Sequence, residues 1–363
     1  MDGQCAGHSG HLSARGITLA VVSSTDRRST LPAGHILITG GAGFIGSHLV
    51  DSLLADGRRV TVVDNLSTGH LSNLDQAGRS ANFRFVQGSV TDEMIIDELM
   101  HECDSVIHLA AAVGVRLIVE EPLRSFTTNV RGSEVVIEAA HRYRRKILVA
   151  STSEVYGKNS SDALGENADR ILGPPQVWRW AYSVAKSVDE ILAYLYHSER
   201  GLPTVVARFF NTVGPRQSPA YGMVIPRLVR QALAGEPITV YGDGLQTRCF
   251  CHVSDTVRAI RLLIDDERAA GEAFNIGAGK EITMLDLANE IIAKTGSAST
   301  VALVPYEEAF PKGGFEDMRR RVPDTSKIEA LLGWRPAKTL DDILDETIAE
   351  ARLELRSEPA ERG

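Results

Sequence analysis

The sequence predicts an α/β protein, a Rossmann-type doubly wound parallel sheet with a smaller C-terminal α/β lobe. Short apolar runs typical of buried strands alternate along the chain with segments of helical period. A glycine-rich turn joins the first predicted strand to the first helix. Pro and Gly become frequent after Asn211, where the regular alternation loosens. We therefore expect the Rossmann domain over residues 35–211 and the smaller lobe over residues 212–352, with some segments of the lobe returning to the main sheet.

The predicted strands are short apolar runs of the usual strand length. They lie at residues 35–39, 59–64, 83–86, 105–109, 147–150 and 204–208. Helical periodicity marks the segments between most of them, at residues 47–57, 91–100, 123–143 and 181–200. Strands that are joined through helices run parallel in one sheet. The order of elements therefore predicts a parallel sheet with helices on both faces.

Composition argues against several classes of function. The chain has 363 residues and a formal net charge of −8, so it offers no broad basic field for nucleic acid or for an anionic membrane. Its four cysteines lack the spacing of zinc ligands, which predicts no metal site and a reduced, cytoplasmic protein. Residues 1–34, rich in Gly, Ser and Arg, are predicted to be a disordered tail, and residues 353–363 a flexible one.

The turn after the first strand carries three glycines at the spacing of a dinucleotide-binding motif. Gly40, Gly43 and Gly46 lie where backbone without a Cβ lets a pyrophosphate approach the start of a helix. Asp64 ends the next strand 18 residues after Gly46, the position of a carboxylate that binds ribose hydroxyls. Neutral Asn65 follows it and no Arg is adjacent to meet a 2′-phosphate, so the pattern favours NAD over NADP.

One tyrosine among the eight lies four residues before a lysine in the pattern YxxxK. Tyr182 and Lys186 share one face of the predicted helix, one turn apart. An ammonium near a phenol stabilises the phenolate and lowers the pKa of the tyrosine towards neutrality. Tyr182 is therefore predicted to be the general base that deprotonates a secondary alcohol during hydride transfer. Two exposed polar residues on an amphipathic helix would be the alternative for this pair taken alone.

Together these motifs resemble the extended short-chain dehydrogenase/reductase family of nucleotide-sugar epimerases, dehydratases and decarboxylases. The similarity runs from about His35 to Trp334 and includes TGGAGFIG, HLAA, YSVAK and RFFNTVGPRQ in family order. It implies a Rossmann domain that retains NAD, a lobe that holds a UDP-sugar, and a homodimer packed through long helices. The implied cofactor contacts are Gly40, Gly43, Phe44, Ile45, Gly46, Asp64, Asn65, Ser67, Thr68, Gly69, Ser89, Val90, Leu109, Ala110, Ala111, Asn129, Tyr182 and Lys186.

Members of the family share the first step, in which the tyrosine deprotonates a sugar hydroxyl, usually at C4, and NAD accepts the hydride. The residues after the fifth strand help to choose the next step. Dehydratases of the family carry Asp-Glu where this chain has Ser153-Glu154, which argues against dehydration. The segments 152–157 and 245–250 resemble UDP-glucuronate decarboxylases, in which Arg248 aligns with an active-site arginine. Oxidation at C4 of a glucuronate gives a β-keto acid, which loses carbon dioxide readily.

The resemblance also implies roles for individual side chains. Thr152 would hydrogen-bond the reacting C4 oxygen, while Ser153, Glu154 and Arg248 would manage the carboxylate and the reprotonation. The alternatives are that Arg248 clamps the diphosphate and that Glu154 is a surface carboxylate. The implied substrate contacts are Asn211, Arg216, Val240, Tyr241, Arg248 and Arg320, the last chosen from the run Arg319-Arg320-Arg321 in which one functional residue is expected.

Several alternatives stay open at the level of sequence. A UDP-glucuronate or UDP-glucose 4-epimerase is the second candidate, because the segment before the helix and its YSVAKS motif resemble epimerases. The product would be UDP-xylose, or UDP-4-keto-pentose if the ketone escapes before reduction. Ser89 follows Gly88 where many relatives carry an Asp, which puts one cofactor contact in doubt. A non-catalytic NAD-binding protein would show a broken Tyr/Lys pair, and here the pair is intact.

Overall fold

A parallel sheet forms the centre of the fold. The structure, a computed structural model, describes residues 34–114, 121–219, 223–310 and 316–357. Its described strands are β1 (His35–Thr39), β2 (Arg59–Asp64), β3 (Phe83–Gln87), β4 (Ser105–His108), β5 (Lys146–Thr152), β6 (Thr204–Phe209), β7 (Thr212–Val213), β8 (Ile238–Tyr241), β9 (Thr247–Cys249), β10 (Cys251–His252), β11 (Glu272–Ile276), β12 (Glu281–Thr283) and β13 (Val301–Val304). The described helices are α1 (Phe44–Ala55), α2 (Glu93–Glu102), α3 (Pro122–Arg142), α4 (Arg179–Arg200), α5 (Val224–Ala234), α6 (Val253–Asp265), α7 (Met284–Thr295), α8 (Tyr306–Ala309), α9 (Ser326–Leu332) and α10 (Leu340–Ser357).

The central sheet has seven strands in the order β11-β6-β5-β4-β1-β2-β3, and every pairing within it is parallel. The order reverses at β1, because the chain first builds outward through β2 and β3 and then returns to place β4 on the other side. Such a switch point leaves a crevice at the carboxyl ends of the strands. The predicted fold class, a Rossmann-type doubly wound parallel sheet, is confirmed.

Two apolar cores cover the faces of this sheet. Helices α1 and α6 pack on one face, where Leu49, Leu53, Ile260 and Leu263 are fully buried. Helices α2, α3 and α4 contribute to the core on the opposite face, and α3 contacts α4. Strands that are buried on both faces are nearly continuous apolar runs, which is why the sequence could locate them.

A third apolar core lies in the smaller lobe. Helices α5, α7 and α10 supply most of it, together with the parallel pair β8 and β13. Strands β9 and β12 form a short antiparallel pair in the same part of the chain. Strand β11 pairs with β6 and so extends the main sheet, which is a segment of the C-terminal half returning to it.

The predicted tails fall largely outside the described residues. Residues 1–33 and 358–363 are not among them, while α10 continues to Ser357, so residues 353–357 are helical rather than part of a flexible tail. The division between residues 211 and 212 stays a prediction. Within the described ranges no helix combines the length and the apolar character that crossing a bilayer requires.

Candidate active site

The glycine turn after β1 forms one end of a cavity of about 830 Å³ at the carboxyl edge of the sheet. Gly40 has a φ of +73°, and its carbonyl accepts a hydrogen bond from the amide of Gly43 at 3.2 Å. A Cβ on Gly46 would lie 2.3 Å from that carbonyl oxygen, so only glycine permits this contact between turn and helix. Helix α1 has no acidic residue in its first turn and no side-chain cap, which leaves its amides available to an anion.

Asp64 lies at the end of β2 and braces the same turn. Its carboxylate accepts hydrogen bonds from the amide of Ala42 at 3.0 Å and from the amide of Leu66 at 2.8 Å. Burial raises the pKa of Asp64, against the effect of these two amides. The following residues Asn65, Ser67 and Thr68 also line the cavity.

The other predicted cofactor residues divide into lining and supporting groups. The lining group comprises Gly40, Gly43, Phe44, Ile45, Gly46, Val90, Leu109, Ala110 and Ala111. Gly69 does not line the cavity and packs behind it, since a Cβ there would lie 2.8 Å from the backbone of Ala42. Asn129 also lies behind the wall, where its side chain hydrogen-bonds both backbone groups of Ala112. Ser89 is directed to Thr91 instead, so the structure gives no sign of it in the cavity.

Tyr182 and Lys186 on α4 both line the cavity. The Lys186 side chain is 2% exposed, and its Nζ lies 3.0 Å from Oδ2 of Asp189. Burial raises the pKa of Tyr182, and the carboxylates of Glu154 and Asp189 raise it further. The predicted lowering of this pKa is therefore wrong, because burial and the two carboxylates favour the neutral phenol.

Hydrogen bonds of Ser151 and Thr152 hold the tip of β5 in place. The Ser151 hydroxyl donates to Oε1 of the fully buried Glu190 at 2.5 Å, and Glu190 also binds Arg170 and Arg208. Thr152 accepts a hydrogen bond from the amide of Glu154 at 3.2 Å, which caps the 3-10 turn Ser153–Tyr156. The tip thereby presents its hydroxyls and the Glu154 carboxylate to the cavity.

Five charged side chains form a chain of alternating sign beside Tyr182, which we call the arginine network. It consists of Arg179, Arg248 and Arg321 with Glu154 and Asp317. Arg321 donates to Glu154 at 2.5 Å and to the Ser153 hydroxyl at 3.2 Å. Arg248 donates to Asp317 at 2.6 Å, and Arg179 lies between the two carboxylates, at 3.2 Å from Glu154 and 3.9 Å from Asp317.

Burial and charge fix the ionisation of this network. Burial by itself would raise the pKa of Glu154, but Arg179 and Arg321 prevail and lower it to about 2. Burial lowers the pKa of Arg248 to about 10, with the neighbouring Arg321 acting in the same direction. At neutral pH the network therefore holds three guanidinium cations and an ionised Glu154. A carboxylate in this state accepts hydrogen bonds and protons rather than donating them.

The lobe side of the cavity contains most of the predicted substrate residues. Val240, Tyr241, Asn211 and Arg216 all line it. Asn211 donates to the carbonyl of Cys249 at 2.8 Å, and Arg216 pairs with Asp51 at 2.8 Å. Arg227 stacks over the ring of Tyr241 with its Cζ 4.5 Å from the centroid.

Arg320 is the predicted substrate contact that the structure does not bring to the cavity. Its guanidinium binds Glu281 at 2.7 Å and Asp162 at 3.1 Å, and the structure does not place it on the cavity wall. The next residue, Arg321, is the member of the run that enters the cavity. Arg320 and Arg321 are adjacent in the chain, yet the side chain of Arg321 faces the cavity and that of Arg320 faces the surface.

Sequence reasoning also missed Arg179, Asp317 and Arg227. Arg179 had a usable signal, because it lies three residues before Tyr182 and so one turn away on the same helix face. Asp317 carries no local pattern, since it reaches the site only through the fold. Among the described residues, seven cationic side chains line the cavity against four anionic ones, although the whole chain has a net charge of −8. The cationic residues are Arg124, Arg179, Lys186, Arg216, Arg227, Arg248 and Arg321, and the anionic ones are Asp64, Glu121, Glu154 and Asp317.

Comparison with known proteins places this site in a family. A family model described as GDP-mannose 4,6 dehydratase matches residues 37–347. A UDP-N-acetyl-α-D-glucosaminuronate decarboxylase of Bacillus cytotoxicus is 39% identical over 313 residues, which cover 86% of this chain and 96% of the relative. UDP-glucuronic acid decarboxylase 1 of Danio rerio is 36% identical over 325 residues, covering 88% of this chain and 73% of the relative.

A solved structure has the same architecture. It is a UDP-glucuronic acid 4-epimerase of Bacillus cereus in complex with UDP-glucuronic acid and NAD. It superposes with a TM-score of 0.79 and 29% identity, over 88% of this chain and 99% of that chain. With a family model that spans most of the fold and relatives above 30% identity, the chain belongs to the extended short-chain dehydrogenase/reductase family, in the group that the GDP-mannose 4,6 dehydratase model describes.

Proposed function

We propose that this protein decarboxylates UDP-glucuronic acid with NAD as cofactor. The main structural support is that Glu154 lies in the arginine network, in the same cavity as Tyr182 and Lys186. The reaction needs a base for the C4 hydroxyl and cations for a sugar carboxylate, and this cavity contains both. Curated relatives at 36–39% identity are decarboxylases of UDP-hexuronic acids, which favours this activity over 4-epimerisation.

The residues at the glycine turn fit the dinucleotide. The close contact at Gly46 and the uncapped start of α1 suit a pyrophosphate, while Asp64 and its neutral neighbours suit an unphosphorylated ribose. Ala110 and Ala111 give the wall beyond them an apolar character. Bound NAD would accept a hydride from C4 of the sugar, return it after decarboxylation, and bring a positively charged ring to the site.

The side chains act on the sugar in a defined order. Tyr182 takes the proton of the C4 hydroxyl as the C4–H bond breaks and a ketone forms. It does so as phenolate, the form that the positive charge of bound NAD would favour against the effect of burial. The bond between C5 and the carboxylate then breaks and carbon dioxide leaves. The electron pair of the broken bond stays on the sugar and moves towards the C4 oxygen, which gives an enolate. Thr152 is positioned at the strand tip to hydrogen-bond that oxygen. C5 is then protonated, and C4 is reduced in the route to UDP-xylose.

The arginine network supplies the charge for this chemistry. Arg248 and Arg321 are cations that can bind the sugar carboxylate or the diphosphate, and Arg216 and Arg227 extend the cationic wall towards the lobe. The excess of cations over anions on the wall suits a ligand with several negative charges. Because the two arginines lower the pKa of Glu154, this carboxylate would have to take up a proton before it could deliver one to C5.

A mass assay with sugar nucleotides tests this function. Incubation with UDP-glucuronic acid and NAD is expected to remove 44 mass units, the mass of carbon dioxide, or 46 if the 4-keto-pentose is released. An unchanged mass with inverted C4 would instead identify a 4-epimerase. UDP-N-acetylglucosaminuronic acid should be assayed in parallel, because the substrate named for the Bacillus cytotoxicus relative differs at C2. Decarboxylation of that compound alone would retain the reaction and correct the substrate.

We further propose a homodimer that forms through α3 and α4 and a cytoplasmic location. Val184, Ile191 and Leu195 are exposed at helical spacing on α4, and Leu123 is exposed at the start of α3. An apolar row of this kind on a long helix favours burial against a second copy. The free, buried cysteines Cys103, Cys249 and Cys251 support a reducing compartment.

Charges placed in this row are expected to separate the dimer. Burial of an Ile or Leu side chain contributes about 1.5–3 kcal/mol and counts twice across a two-fold axis. The double substitution Ile191→Glu, Leu195→Glu should therefore weaken association by about a thousandfold or more, measured by light scattering after gel filtration. Leu303→Glu, at an exposed leucine in the smaller lobe, is the control. A dimer unaffected by the double substitution would place the interface elsewhere.

A further inference from the structure

Arg179 occupies a position that is costly for a cation. It is the first residue of α4, where the helix dipole disfavours positive charge, and its side chain is only 5% exposed. The first turn of α4 contains no acidic residue that would offset it. A buried guanidinium in such a place has to be compensated by anions from other segments of the chain.

Two anions meet Arg179 from different parts of the fold. Its Nη2 lies 3.2 Å from each carboxylate oxygen of Glu154, which follows β5. The same nitrogen lies 3.9 Å from Oδ1 of Asp317, in the segment that precedes α9. Because Nη2 is equidistant from both oxygens of Glu154, it faces the carboxylate centrally and restricts its rotation.

The helix connects this contact to the base of the reaction. Arg179 and Tyr182 are three residues apart on α4, so their side chains lie on one face about one turn apart. Both line the cavity that also contains Glu154. The distance between the base at C4 and the carboxylate near C5 is therefore set by one turn of a rigid helix and one ion pair.

We propose that Arg179 is a positioning residue that keeps Glu154 ionised and oriented beside Tyr182. The part that concerns Glu154 stands on the contacts alone, and the part that concerns the decarboxylation step rests on the proposed function. The other two arginines of the network make different contacts. Arg248 pairs with Asp317, and Arg321 donates to a single carboxylate oxygen of Glu154 from the segment before α9.

The charged and titratable groups that face Glu154 determine the sign of the effect. They are Arg179 and Tyr182 from α4, Arg248 from β9, and Asp317 and Arg321 from the segment before α9. Burial favours the neutral acid, and the charge of Arg179 opposes it, together with the charge and hydrogen bond of Arg321. Loss of the Arg179 charge therefore raises the pKa of Glu154, so that this carboxylate takes up a proton at a higher pH than in the wild type.

Arg179→Gln tests the proposal with two readouts. The acid limb of the pH profile for carbon dioxide release should move to higher pH by about one to three pH units, while C4 oxidation changes little. Infrared difference spectra of the ligand-free protein should show a protonated carboxyl band in mildly acidic buffer. The band should be absent from the wild type and from the Arg179→Gln, Glu154→Gln double variant. Arg200→Gln, at the exposed end of the same helix, is the control.

The infrared readout needs no substrate, so it separates failure of this inference from failure of the proposed function. Arg179→Lys keeps the charge but loses the fork of the guanidinium, so it should leave the acid limb in place and slow only carbon dioxide release. It also serves if Arg179→Gln does not fold. An unchanged acid limb and no new band in Arg179→Gln would overturn the proposal, as would an acid limb in Arg179→Lys that moves like that of the glutamine variant.

Discussion

Tyr182→Phe is expected to lower the rate of C4 oxidation by about a thousandfold or more. The substitution removes one oxygen and leaves the ring that lines the cavity in place. Without the hydroxyl, the neighbouring Lys186 does not replace the base, since its ammonium is paired with Asp189. Single-turnover formation of reduced NAD, followed by absorbance after mixing with UDP-glucuronic acid, measures this step directly.

Tyr196→Phe is the matched control, because Tyr196 lies on the same helix about four turns from Tyr182, packs against His141 and does not line the cavity. It should retain the wild-type rate. The raised pKa of Tyr182 adds a second expectation. Because burial and the two nearby carboxylates favour the neutral phenol, the alkaline absorbance of tyrosinate in the ligand-free protein should be the same in wild type and Tyr182→Phe near neutral pH. Retained oxidation in the phenylalanine variant would remove Tyr182 from the role of base.

Glu154→Gln is expected to slow carbon dioxide release by about a hundredfold or more and to leave C4 oxidation largely intact. The amide has the shape of the carboxylate but lacks the charge that pairs with Arg179 and Arg321. Those two cations then lack their anion beside the sugar. The oxidised hexuronate should accumulate, and rapid-quench mass analysis should detect it as a species two mass units below the substrate.

Asp162→Asn provides the comparison for Glu154→Gln, because Asp162 also pairs with an arginine but is fully exposed. It should release carbon dioxide at the wild-type rate. A normal rate in Glu154→Gln would show that the negative charge is not needed for this step. An equal loss of oxidation and decarboxylation would show instead that Glu154 acts before the ketone forms.

The sequence was most informative where a physical requirement acts locally. Strands buried on both faces need continuous apolar runs, and a turn that brings Gly46 against Gly40 needs glycine, so both could be read from the chain. The fold class and the family were predicted for this reason and are confirmed. The location of Tyr182 and Lys186 on one helix was predicted from their spacing in the same way.

The remainder of the site depends on contacts between distant segments. Asp317 reaches Arg248 across 69 residues of sequence, and Glu154 reaches Arg321 across 167, so neither pair leaves a local pattern. The sequence could not separate Arg320 from Arg321, because the run has no regular periodicity that would show which side chain faces the cavity. The direction of the pKa shift of Tyr182 could not be predicted, because the sequence reveals the nearby Lys186 but neither the burial of Tyr182 nor the pairing of Lys186 with Asp189.

The buried Glu190 beneath β5 has a consequence for how this catalyst can change. It ties Ser151 to Arg208 on β6 and to Arg170, so the strand tip is fastened by three charged groups that do not line the cavity. Under the proposed function, residues 152–154 act on the ketone, and their side chains make no contact with Glu190 among those described. Evolution can therefore change the step that follows oxidation independently of oxidation itself, because a few substitutions at residues 152–154 leave the contacts of Glu190 with Ser151, Arg208 and Arg170 in place.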